Sequence, residues 1–124
     1  MYKRLETPFA VQRWDLLQLD APDGTRDPIV LHSDAGARAV LVVLQPGQSL
    51  GDHQVKENAW VTVLDGTIEI RCGSETVQAG RGMTARFDPD ERHALSSRDG
   101  ARVMLLLAPW PGAGHYRGNA PAAA

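Results

Sequence analysis

The chain has 124 residues, with 13 Lys and Arg against 15 Asp and Glu and a formal net charge of -2. That length predicts one domain, large enough to bury a core without disulfides or a structural metal. The near-balanced charge, without any basic block, argues against nucleic acid and anionic membrane as partners. Cys72 is the only cysteine, so no internal disulfide forms, which fits a reducing compartment. The opening Met1-Tyr-Lys-Arg-Leu-Glu has no apolar stretch behind it, and no apolar run approaches a membrane span. The expectation is a soluble, cytoplasmic protein.

In chain order the sequence alternates short β-type runs with turn clusters. Residues 11 to 19 suit a short strand or one helical turn, and Pro22-Asp-Gly24 and Asp34-Ala-Gly36 mark turns. Arg38 to Leu44 is a continuous apolar run closed by Pro46-Gly47 and predicts a buried strand. Trp60 to Leu64 and Thr67 to Arg71 flank Asp65-Gly66, which predicts a β-hairpin. Thr76-Val77 and Met83 to Phe87 flank Ala79-Gly80-Arg-Gly82. Arg102 to Leu107 is the last strong strand, and Pro109-Trp-Pro111-Gly stops regular structure before an Ala/Pro-rich tail. Strands at a spacing of about 8–12 residues predict an all-β sandwich or barrel. The expected layout is one domain over 1–124, with N-terminal strands and turns over 1–37, a barrel over about 38–108 and a C-terminal loop and tail over 109–124.

Two histidines on separate strands carry the functional question. His53 opens the alternating run that leads to Asp65-Gly66, and His93 follows Asp88-Pro89-Asp-Glu-Arg at the start of another short strand. Convergence of the two inside a small barrel would make a place for a metal or a ligand. Residues 53, 55, 57 and 59 share one face if their strand is regular, which puts Val55, Glu57 and Ala59 beside His53.

The spacing resembles that of the single-domain cupins, small double-stranded β-helix or jelly-roll barrels. Their first motif reads G-x5-H-x-H-x3-4-E-x6-G, and Gly47, His53 and Gly66 stand in its places. Val55 occupies the place of the second histidine and Ala59 that of the glutamate. In the second motif, G-x5-P-x-G-x2-H-x3-N, Gly82 and His93 match, while Asp88, Asp90 and Ser97 replace the proline, glycine and asparagine. The resemblance implies a cupin fold over roughly residues 38 to 108. It also implies that His53 and His93 stand at two of the four positions that hold a divalent cation in metal-binding cupins.

Two readings of the site follow. In the first, His53, Val55, Ala59 and His93 line an apolar interior pocket that holds a small organic molecule. In the second, a divalent transition metal sits on His53, His93 and Glu57, a two-histidine-one-carboxylate set serving an oxygenase-like or isomerase-like reaction. Glu57 lies two residues before the family position, about 6–7 Å along a strand, and an ion pair or a solvated place suits it equally. His115 and His32 are further candidate ligands. Blander roles are open to other residues: Trp60 as a packing residue between sheets or subunits, Trp110 as a plug between two prolines, and Cys72 as a small filler. No phosphate loop, Ser-His-Asp pattern, dinucleotide fingerprint or aromatic stacking platform is visible. A homodimer is expected, with residues 11 to 19 pairing between subunits.

Overall fold

The computed structural model describes residues 11–20 and 28–114. Its regular elements are all strands: β1 (Ile29–Ser33), β2 (Arg38–Leu44), β3 (Ser49–His53), β4 (Asn58–Cys72), β5 (Glu75–Gly80), β6 (Thr84–Phe87), β7 (His93–Ser96) and β8 (Ala101–Ala108). They pair antiparallel in one curled sheet of order β1-β2-β8-β4-β7-β3, with β5 and β6 also on β4. The long β4 holds the curl together. Its first half pairs with β8 and β6, and its second half with β5 and β7.

The predicted hairpin at Asp65-Gly66 does not form, because β4 runs straight through it. A bulge between Val63 and Asp65 shifts the register against β8. Before it the odd residues Ala59, Val61 and Val63 are buried; after it the even residues Ile68 and Ile70 are. One inserted residue therefore carries the strand around the barrel corner while its apolar face stays inside. Gly66 has φ +78, and a Cβ there would lie 2.3 Å from Gly100 O. The glycine serves a corner where two backbones touch, rather than a turn.

The apolar run at β2 is the buried strand its composition predicts, with Val40, Leu41, Val42 and Leu44 enclosed. The main core joins Val42, Leu44, Val61, Val63, Ile68, Leu95 and Val103 inside the barrel. A second cluster lies on the outer face of the sheet: Ile29, Leu31 and Leu41, with Trp14, Leu16, Leu19 and Leu64 packed against it. Of the two expectations for residues 11 to 19, the single helical turn is the one found, at Leu16–Gln18, closed by Gln18 and Leu19 N–H on Asp15 O. Arg102 donates to Leu16 O and Leu19 O and ties this segment down. These apolar residues cover their own chain's sheet, so the segment does not have the free strand on which pairing between subunits was expected. The Pro22 turn lies outside the described residues. Asp34 closes the β1–β2 hairpin by accepting Gly36 and Ala37 N–H on one oxygen. These bonds and His32 hold its carboxyl below the ordinary carboxylate range.

Candidate functional site at the end of β3 and β7

His53 ends β3, His93 begins β7, and the two are direct partners in the ladder. Their ring centroids lie 4.4 Å apart at 59°. They are neighbours within one sheet rather than residues on opposite walls, so cross-strand register brings them together. His93 is buried, 3% exposed, and lies flat against Phe87 at 4.0 Å with an interplanar angle of 4°. Phe87 reaches it from the end of β6. His53 is only partly buried.

Backbone carbonyls fix both imidazoles. His53 Nδ1 lies 2.6 Å from Gly51 O and His93 Nδ1 3.0 Å from Glu91 O. A carbonyl only accepts, so each Nδ1 carries a proton, and in the neutral ring each Nε2 is the acceptor nitrogen. Each ring bonds a carbonyl two residues before it, so the tautomer is set locally.

The strand expected to align 53, 55, 57 and 59 is interrupted: β3 stops at His53 and β4 starts at Asn58. Glu57 is fully buried rather than solvated, and its Oε2 accepts Gly112 N–H at 2.7 Å. Among the described residues no three His, Cys, Asp or Glu side chains group to hold a metal ion. The set of His53, His93 and Glu57 is therefore not assembled. His32 sits on β1 against Asp34 Oδ2 at 2.9 Å, at the opposite end of the strand order from β3. His115 lies outside the described residues. Two imidazoles fall short of the three or four ligands that catalytic and structural sites use. The donor set as described does not fit the divalent cation that the fold often holds.

Val55 packs against the main core, and Ala59 is buried within it. Val55 O accepts Asp90 N–H at 2.7 Å. The cleft bordered by Phe87 measures about 200 Å³ and is also walled by Ile70, Cys72, Val77, Arg86 and Glu91; none of His53, Val55, Ala59 and His93 lines it. A larger polar hollow of about 630 Å³ lies around Thr67, Gln78, Ser96 and Arg98, at the other end of β7 from His93. Cys72 fills part of the smaller cleft's wall and points its Sγ at Glu91 Oε2, 3.5 Å away.

Two residues of the site were not singled out from sequence, Phe87 and Gly112. Phe87 carried a usable signal, being two residues from the inward Ala85 on one short strand. Gly112 carried none, since its partner is 55 residues away. Trp110 acts as the expected pin: its N–H donates to Gly36 O, and the Arg38 guanidinium lies 4.6 Å from its ring centre.

The family model for the cupin domain matches residues 40–109. The chain belongs to the cupin family. Solved structures agree on the cupin barrel. A conserved protein of unknown function from Streptococcus pyogenes is 23% identical with a TM-score of 0.70, over 86% of this chain and 91% of that one. An RmlC-like cupin protein from Desulfovibrio desulfuricans is 20% identical with a TM-score of 0.72, over 80% and 97%. The EutQ protein of Clostridium difficile is 15% identical with a TM-score of 0.72, over 87% and 94%. These likenesses concern the fold alone. No curated protein matches the chain. Among the described residues no helix is long and apolar enough to cross a membrane.

Proposed function

We propose that this cupin binds a small organic molecule at the end of β3 and β7, with His53 Nε2 as the hydrogen-bond acceptor that selects it. The supporting observation is the locked tautomer: Gly51 O holds the Nδ1 proton, so a partly exposed ring offers a lone pair at a fixed place. Among the described residues nothing bonds to that nitrogen. A ligand with an O–H or N–H donor beside an apolar body suits it, because Phe87, stacked on His93, borders the pair. The test is an NMR titration of ¹⁵N-labelled protein, following the imidazole nitrogens, with small alcohols, amides and amines and their donor-free analogues. Donor-bearing fragments should move His53 Nε2, and His53→Ala should abolish their binding. Equal responses to the donor-free analogues, or binding unchanged in His53→Ala, would overturn the reading.

The metal-dependent enzyme is the second reading. Only the tautomer speaks for it, since metal-bound imidazoles commonly donate their other nitrogen to a carbonyl; against it, no third ligand joins the pair among the described residues. A single cysteine suits the cytoplasm. For a homodimer the place left is the uncovered part of the outer sheet face, where Trp60 is 43% exposed beside Leu106 on β8. Light scattering showing only monomer at micromolar concentration would remove it.

A further inference from the structure

Three irregular segments meet beside the histidine pair, and their contacts define a device the sheet does not need. The first is residues 54–57, which leave His53 and lead into β4. The second is the turn 88–91, which leads into His93. It clasps the first through Asp90 N–H on Val55 O at 2.7 Å and Lys56 Nζ on Asp90 Oδ1 at 2.6 Å. It also supplies Glu91 O, which holds the His93 ring. The third is the C-terminal segment 109–114, which crosses the first from another side. Its Gly112 N–H donates to the buried Glu57 carboxylate. A Cβ at Gly112 would stand 2.3 Å from Lys56 O, so the two backbones touch there and only a glycine fits. Trp110, tied to Gly36 and Arg38, is the anchor at the other end.

We infer that residues 109–114 are a strap, latched by Glu57, that closes over the loop behind His53 and so controls when the buried His93 is reached. None of the three segments belongs to a strand ladder. They open as one unit without unzipping the barrel, as locally stable units do. Glu57 thus has a positioning role: it fixes the strap, the strap holds the loop, the loop holds the 88–91 turn, and the turn fixes the His93 imidazole through Glu91 O. The inference goes beyond the ligand reading and holds whichever molecule binds.

Two measurements on the full chain test it. In native-state hydrogen exchange on the unaltered protein, the Gly112 and Asp90 amides should open together with one denaturant dependence. They should exchange about tenfold or more faster than the Ile68 and Val103 amides of the core. The second is histidine modification by diethyl pyrocarbonate, read by peptide mass spectrometry. Gly112→Ala should raise the His93 rate about tenfold and leave the exposed His32 unchanged as an internal control. Asp90 exchanging with the core while Gly112 opens alone would overturn the strap. So would a His93 rate that stays put or rises in step with His32. If Gly112→Ala does not fold, the exchange data on the unaltered protein decide alone.

Discussion

His53 and His93 sit side by side yet differ in what they can meet. His93 is sealed behind Phe87, whereas His53 keeps one edge open to solvent. Phe87 is therefore a structural support for the pair, and Phe87→Ala should cost about 3–5 kcal/mol in urea unfolding, with loss of the ring-current shifts on His93. Asp34 provides a pH prediction of known sign. Its folded carboxyl titrates below the ordinary value. The stabilisation is therefore fully present above the unfolded carboxyl's pKa and is lost as pH falls through the folded one. Carboxyl ¹³C titration should show a midpoint below that of the Asp34 carboxyl in the urea-unfolded chain; a midpoint at or above it would refute the turn geometry. At this scale the two histidines were legible because motif spacing and strand starts both pointed at them. Glu57 is inward, as its parity with Ala59 predicts, but the chain leaves the sheet between His53 and Asn58, and its carboxylate meets Gly112 instead of the histidines.

β4 is the element on which the barrel depends, and it is also where local sequence signals mislead. Asp-Gly between two β-type runs reads as a hairpin when only neighbours are considered. In the barrel the competing solution is a bulge, which keeps both halves of β4 in the sheet and both apolar faces inside. Nothing within the run itself reveals that Gly66 must pass against Gly100. Gly66→Ala should therefore destabilise by about 2–4 kcal/mol, from a left-handed backbone and a blocked close approach. A cost near zero would mean the corner is looser than described. Burial along one face of the β4–β5 pair gives a second contrast: Val77 pairs with Ile70 and shares the face of Ile68, but Ile68 is enclosed and Val77 is exposed. Ile68→Ala should cost about 2–5 kcal/mol, while Val77→Ala, at a position 42% exposed, should stay within about 0.5 kcal/mol. Equal costs would contradict the difference in burial between the two positions. Runs such as β2 and β8 were legible because nothing competes with a continuous apolar strand between turns.

For the whole molecule, the curled sheet is closed by its own N-terminal segment on one face and by the C-terminal segment near the histidines. Both closures join residues far apart in sequence, which is why neither was visible beforehand: Arg102 reaches Leu16 and Leu19, and Glu57 reaches Gly112. Residues 11 to 19 suit pairing with a second subunit when only their apolar character is considered, but Trp14, Leu16 and Leu19 pack on their own barrel. We propose the histidine pair of this cupin as an acceptor site for an organic ligand rather than the seat of a resident cation. Elemental analysis of purified protein, alongside His53→Ala, tests that claim most directly. Both proteins should carry transition metal far below one equivalent per chain. One equivalent in the unaltered protein, lost in His53→Ala, would contradict it.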